Sequence, residues 1–220
     1  MTNTNSETEK KSEIDFIIAK SGHIVPVVDQ IYLHSVYDPI KEADDYAQTH
    51  EDDLKKNSTV LMLGLGFGYH IFQIINKLKV NHTTFNLLVL EPNQQLVEHF
   101  INYCSEKNIK VEFKILSSPI DKIFYQDVLL NFMLQKPLVL MHKASFNKDK
   151  SYFTTFLQYR APKVFETFEG HLKTHLKDFL AEGNFAPNQT IQEAIAASTK
   201  KNKLTKADYY LKLYDLLTHS

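Results

Sequence analysis

The chain has a single cysteine, Cys104, so it can form neither an intramolecular disulfide nor a multi-cysteine zinc site. That usage fits a reducing compartment. It has no apolar run near the ~18 residues that a membrane span requires. Its first residues, Met1 to Lys11, are polar and lack the apolar stretch of a secretory signal. The expected location is therefore cytoplasmic, with no membrane partner. Neither charge dominates: 25 basic and 26 acidic residues leave a formal net charge of -1. That balance argues against a general electrostatic nucleic-acid binder, which carries a basic excess. Glycine is scarce, six in all, yet three fall together at Gly64, Gly66 and Gly68. Such clustering signals a local demand on the backbone. Apolar residues are plentiful: at 43% they exclude a mainly disordered chain. A length of 220 residues allows one substantial core with an appendage.

Residues 1–12 read as a disordered tail without an apolar anchor. Ile14 to Leu33 reads as a β-hairpin or two edge strands, with Asp29-Gln30 as the turn and Pro26 suited to an edge. Asp38 followed by Pro39 marks a helix start, running to about His50. The central part then alternates strand and helix. Thr59–Leu63 is a buried parallel strand, and Tyr69–Leu78 is a helix with Ile71, Phe72, Ile74, Ile75 and Leu78 apolar. Phe85–Leu90 is a second strand, and Pro92 opens a helix to about Lys107. Val111, Phe113 and Ile115 form a third strand, Pro119–Leu134 a third helix, and Leu138–Met141 a fourth strand. This order predicts an α/β, Rossmann-like, doubly wound, mainly parallel sheet. The expected organisation is a tail (1–12), an α/β domain with its hairpin (13–145) and a helical C-terminal cap (146–220).

The richest constellation is Val60-Leu61-Met62-Leu63-Gly64-Leu65-Gly66-Phe67-Gly68-Tyr69-His70, followed by Leu87-Leu88-Val89-Leu90-Glu91-Pro92. A strand ends in a turn where glycines let the backbone approach a ligand. The next helix points its first N–H groups at that ligand. Glu91, 27 positions after Gly64, ends the neighbouring strand, where a carboxylate can accept from ribose hydroxyls. His70, just past the loop, is placed for ligand contact or proton transfer. The alternative is a scaffold whose glycines serve only the turn. The Gly-x-Gly-x-Gly spacing resembles motif I of class I S-adenosylmethionine-dependent methyltransferases, with Glu91 matching their acidic residue. No Asn-Pro-Pro-Tyr or Asp-Pro-Pro-Tyr motif is present, so no catalytic residue is assigned.

A second constellation, Leu33-His34-Ser35-Val36-Tyr37-Asp38-Pro39-Ile40-Lys41-Glu42-Ala43, precedes the sheet. His34, Ser35 and Asp38 are candidates to line the ligand crevice. The bland alternative has Asp38 capping a helix, Ser35 making a turn and Glu42 solvated. Taken with the glycine loop and Leu88-Val89-Leu90-Glu91-Pro92, this segment resembles the amino-terminal domain of the motility accessory factors. Those are bacterial flagellin-glycosylation proteins regarded as glycosyltransferases for nonulosonic sugars. The resemblance covers residues 21–145. It implies a sugar-nucleotide ligand and a protein partner in a glycosylation pathway. The family's central domain carries a Gly-Pro-Ser signature that this chain lacks, so the expectation is a stand-alone version, an accessory subunit or a separated ancestor with its own ligand. The layout is also similar to spermidine synthases, as an architectural analogy.

Three function classes follow: a nucleoside- or nucleotide-binding Rossmann-like protein, a class I methyltransferase, and a non-catalytic interaction module. The cofactor is S-adenosylmethionine or a sugar nucleotide. His171 and His175 share a helix face but lack a third ligand and a Glu between them, so no metal site is expected. Lys200, Lys201, Lys203 and Lys206 form a solvated connector, and Cys104 a core position. The residues say nothing of oligomeric state.

Overall fold

The computed structural model describes residues 13–124, 126–159, 186, 188–205, 207–209 and 211. The expected tail (1–12), most of the helical stretch 149–183 and most of the last helix lie outside these. The chain divides into two compact units, Met1–Thr155 and Phe156–Ser220.

The first unit opens with an antiparallel sheet of β1 (Ile14–Ile18), β2 (Ile24–Val28) and β3 (Ile31–Tyr32), in the order β1-β2-β3. Asp29 and Gln30 turn between β2 and β3 with φ of 48° and 66°. Two left-handed residues are what the right-handed twist of a tight hairpin asks for. Pro26 corrects the edge expectation, for it sits in the middle strand opposite Phe16. Ala19 donates to the His23 carbonyl and Asp29 to the Glu13 carbonyl, so the bonded pairs of the β1–β2 ladder fall on odd positions. Pro26 owes β1 no N–H, and its carbonyl accepts from Leu33 at 3.0 Å.

Two helices follow, α1 (Pro39–Thr49) and α2 (Glu51–Lys56). Asp38 caps α1 by accepting from the Ile40 and Lys41 amides at 3.1 and 3.0 Å, and Pro39 fills the first turn. Ala43 and Ala47 are buried on the face of α1 that meets the helix after the glycine loop.

The main sheet is wholly parallel: β4 (Thr59–Leu63), β5 (Asn86–Leu90), β6 (Lys114–Leu116) and β7 (Leu138–Met141), side by side as β6-β5-β4-β7. Numbered in chain order this is 3-2-1-4, the first four places of the doubly wound Rossmann arrangement. The fold is therefore α/β and Rossmann-like, as the alternation predicts. Leu61, Met62 and Leu63 have no exposed surface, nor have Val89 and Leu90. Continuous apolar strands of this kind are covered on both faces. Helix α3 (Tyr69–Asn81) buries Ile71, Ile74, Ile75 and Leu78, spaced by three and four, and α4 (Gln94–Glu106) buries Leu96, Phe100 and Cys104.

Three boundaries differ from expectation. Helix α4 is capped by Asn93, whose side chain accepts from the Leu96 amide at 3.1 Å, so Pro92 lies ahead of the cap. Strand β6 begins only at Lys114; Val111 and Phe113 pack on the core without joining a ladder. The single helix expected over 119–134 is two, α5 (Ile120–Ile123) and α6 (Asp127–Met133). After β7 come α7 (Lys143–Lys148) and α8 (Lys150–Leu157).

In the second unit, α9 (Ile191–Thr199) starts with a reciprocal box: the Thr190 hydroxyl accepts from the Glu193 amide and the Glu193 carboxylate from the Thr190 amide. Asp208 is fully buried and accepts from the Thr205 amide at 2.7 Å and from Lys201 at 3.0 Å.

Asp38→Ala is expected to lower stability by about 1 kcal/mol through loss of the α1 cap, read as a lower midpoint in urea unfolding. Leu61→Ala, at the centre of the sheet, is expected to cost about 2–5 kcal/mol in the same measurement.

Candidate functional site at the carboxyl ends of the parallel strands

Every residue from Leu61 to His70 is buried. The turn from β4 into α3 holds Gly64, Gly66 and Gly68 at φ of 95°, 55° and 81°, which side chains resist. The space that glycine leaves is taken by the protein's own side chains. A Cβ on Gly64 would collide with Ser145, and one on Gly66 would lie 2.6 Å from His34 Nε2 and 2.9 Å from His142 Cε1. A Cβ on Gly68 would lie 2.5 Å from the Phe100 ring.

Glu91 stands at the end of β5, as expected, and is only 1% exposed. One carboxylate oxygen accepts from the Leu65 amide at 2.9 Å and the other from the Asn93 amide at 3.0 Å. The first bond pins the glycine loop and the second turns the chain into α4. Burial pushes the Glu91 carboxyl up to about 7, against the two amides, which pull it down.

The segment before the sheet reaches the same place. The Phe67 amide donates to His34 Nε2 at 2.9 Å, so the His34 proton sits on Nδ1, 3.2 Å from Glu42 Oε2. Glu42 also accepts from the Ser35 amide at 2.9 Å. Burial raises the Glu42 carboxyl, but the His34 and Ser35 bonds outweigh it and hold it below the ordinary carboxylate value. Ser35 Oγ accepts from the Tyr37 and Asp38 amides. Ser35 and Asp38 thus serve the turn and the α1 cap, and neither lines the cavity described next.

Two further groups arrive from the β7–α7 junction. His142 Nδ1 lies 2.8 Å from Ser145 Oγ, and that hydroxyl accepts from the Gly66 amide at 3.2 Å. The His142 ring stacks on His70 with centroids 4.3 Å apart and planes 9° from parallel; His34 lies 4.7 Å from His142. One ring nitrogen from each of His34, His70 and His142 falls within 4.8 Å of the others. Neither nitrogen of His70 has a well-formed hydrogen bond among the described residues; the Gly64 backbone beside it pulls its value up, and burial and His34 push it down. Burial, then the neighbouring histidines, hold both His70 and His142 well below the ordinary imidazole value, so both are uncharged at neutral pH.

A cavity of about 500 Å³ opens over this cluster. Its floor includes His34, His70 and His142, and its rim Glu42, Asp45, Thr49, Lys143 and Asn147. It lies between α1 and the β7–α7 turn, where the strand order reverses between β4 and β7. Ligands of doubly wound sheets bind at that switch point, outside the carboxyl ends of the strands. Tyr46 leans over it, its hydroxyl donating to the Met141 carbonyl at 3.0 Å and raised to about 12 by burial.

Of the candidate residues, the fold brings His34, His70, the three glycines and Glu91 together and leaves Ser35 and Asp38 to one side. His142 and Ser145 belong to the site without any motif to announce them. The only hint is a polar interruption, His142, after the apolar β7. His171 and His175 lie outside the described residues.

No protein-family model matches the chain, and no curated protein matches it. Among solved structures, it is similar to spermidine synthase from Thermotoga maritima, with a TM-score of 0.40 at 15% identity over 50% of this chain and 38% of that one. A spermidine synthase in complex with the transition-state analogue AdoDATO gives 0.40 at 14% identity, over 52% and 39%. MNMC2 from Aquifex aeolicus gives 0.35 at 13% identity, over 54% and 46%. The chain thus spans less than half the length of each of these three structures. The fold class rests on this chain's own sheet order. Among the described residues, no helix is long and apolar enough to cross a membrane.

Gly66→Ala is expected to cost about 2–4 kcal/mol, because left-handed backbone and a collision with two imidazoles act together; denaturant midpoints check this. Glu91 gives a pH signature. Its folded value of about 7 exceeds the ordinary 4.5, so its contribution is full below pH 4.5 and is lost as pH rises to 7. The loss is about 3 kcal/mol. His70 and His142 act oppositely: their depressed values favour the folded state above pH 6.5 and penalise it as pH falls below that. The clean readout is therefore a difference. Wild type minus Glu91→Gln is expected to shrink steadily from pH 4.5 to 7, and a flat difference would refute the assignment.

Proposed function

We infer that this chain binds a nucleoside-type small molecule at the carboxyl ends of its parallel strands. The observation that supports the reading is the cavity at the strand-order reversal, floored by His34 and His70 beside the glycine-rich turn. Its polar groups suit such a ligand. Asp45 offers an acceptor for hydroxyl or amine groups of the ligand, and Lys143 offers a cation for a phosphate or carboxylate.

Two ligands are proposed in order. S-adenosylmethionine comes first, because a glycine turn followed by an acid at the next strand end is the arrangement of a class I methyltransferase. In that case Glu91 must exchange its Leu65 and Asn93 amides for the ribose hydroxyls, and the turn must open. Methyl transfer itself asks for in-line placement of acceptor and sulfonium more than for an acid or base. A sugar nucleotide comes second, on the resemblance to the amino-terminal domain of motility accessory factors. That reading makes the protein an assistant in flagellin or surface-glycan glycosylation, with a protein partner supplying the transferase site.

The test is calorimetric titration of the full chain with S-adenosylmethionine, S-adenosylhomocysteine, CMP, UDP and GDP. A ligand at about 100 times its dissociation constant raises folding stability by about 2.7 kcal/mol, seen as an upward melting shift. Asp45→Ala, at an exposed rim position, is expected to weaken binding at least tenfold while the unliganded melt stays put. If no nucleotide binds, the reading fails and an interaction module takes its place. Binding that Asp45→Ala leaves untouched puts the ligand elsewhere.

A further inference from the structure

The three buried imidazoles raise a question that nucleoside binding does not answer. His70 is 2% exposed, and neither of its ring nitrogens has a well-formed hydrogen bond. A buried polar group in that state costs on the order of 1–3 kcal/mol. A histidine that needed only to fill space would be better replaced by an apolar ring. His70 instead lies against two other imidazoles at the base of an open cavity.

We propose that His34, His70 and His142 form a binding site for one divalent transition-metal ion of the zinc class, with a fourth coordination position facing the cavity. Imidazole nitrogen is a preferred donor for zinc and its neighbours. Three protein ligands with one open position is the pattern of a zinc site that works on a bound molecule, as opposed to a closed structural one.

The surroundings of each ring fit that role. Glu42 fixes the His34 proton on Nδ1 and leaves the lone pair on Nε2, the carboxylate–histidine pairing that orients a metal ligand. Ser145 Oγ lies 2.8 Å from His142 Nδ1, and the Ser145 amide donates to the same nitrogen at 3.4 Å, so the His142 proton rests on Nε2 and must move to Nδ1, onto Ser145 Oγ, to free Nε2 for an ion. His70 has only a poorly formed contact with the Gly64 backbone to give up. The cavity mouth, with Asp45 and Asn147 on its rim, gives an ion a way in.

Besides that proton shift, closing the site requires two adjustments. Nitrogens around a tetrahedral zinc lie about 3.4 Å apart, whereas here they lie up to 4.8 Å apart. The rings must turn inward by roughly 1 Å, with the His70–His142 stack opening. The metal must also take the His34 Nε2 lone pair from the Phe67 amide. That exchange sets the affinity below that of a preformed cage.

The inference stands apart from nucleoside binding: either can fail while the other holds. Its test is equilibrium dialysis of the full chain against zinc chloride with elemental analysis, alongside cobalt chloride titration followed by visible absorption. The expected result is one zinc per chain, a raised melting temperature, and the intense cobalt bands of four-coordinate geometry. His70→Asn and His142→Asn are each expected to weaken zinc binding at least 100-fold. Glu42→Gln should weaken it about tenfold as a positioning change. The double variant His171→Asn/His175→Asn should leave it intact. Circular dichroism checks that the variants fold. Should the buried variants not fold, the wild-type cobalt spectrum decides, since weak six-coordinate bands overturn the site. Substoichiometric zinc, unchanged affinity in folded His70→Asn, or loss of binding in the His171/His175 double variant also overturns it.

Discussion

The buried carboxylate of Glu91 is the constraint on which the rest of the first unit is arranged. A carboxyl group with almost no exposed surface must have its oxygens satisfied within the protein. It finds two backbone amides, Leu65 in the glycine turn and Asn93 ahead of α4. Those bonds join the ends of β4 and β5 and fix how both following helices leave the sheet. Because the turn is held down on that side, its other amides face the opposite flank. There Phe67 meets His34 and Gly66 meets Ser145. Carboxylate, turn and imidazoles make one continuous polar layer on top of an otherwise apolar sheet.

That layer explains the glycines better than steric freedom alone. Each has positive φ, and each also has a side chain from a distant segment where its Cβ would stand: Ser145, His34 with His142, and Phe100. Close backbone approach is a property of the turn whether a ligand or the protein's own side chain does the approaching. The turn is therefore a well-ordered floor. The open space lies beside it, between α1 and the β7–α7 junction, and collects the charged residues that the turn excludes.

How far the sequence was legible follows from the range of each interaction. The apolar runs of β4 and β5, the glycine turn, the spacing of α3 and the Asp38–Pro39 helix start are local patterns, and the structure has them where the pattern places them. Glu91 is legible as a strand-end acid. Where a few residues had to choose between continuing and stopping, as at Val111–Phe113 or between α5 and α6, periodicity alone did not say. Ser145 carried no local signal at all, and His142 only a polar break after the apolar β7. The bond from Gly66 to Ser145 spans 79 positions of chain, and only the parallel crossover to β7 brings its ends together.

The sequence by itself determined the alternation of strand and helix, the α/β class and the place of the glycine turn, because these depend on side chains close in the chain. Tertiary structure alone decided what fills that turn, which amides Glu91 satisfies, and that three histidines from three separate segments share one buried floor. The physical reason is the parallel sheet. It stacks the carboxyl ends of β4, β5 and β7 side by side, and the unpaired polar groups at those ends must satisfy one another across any distance in sequence.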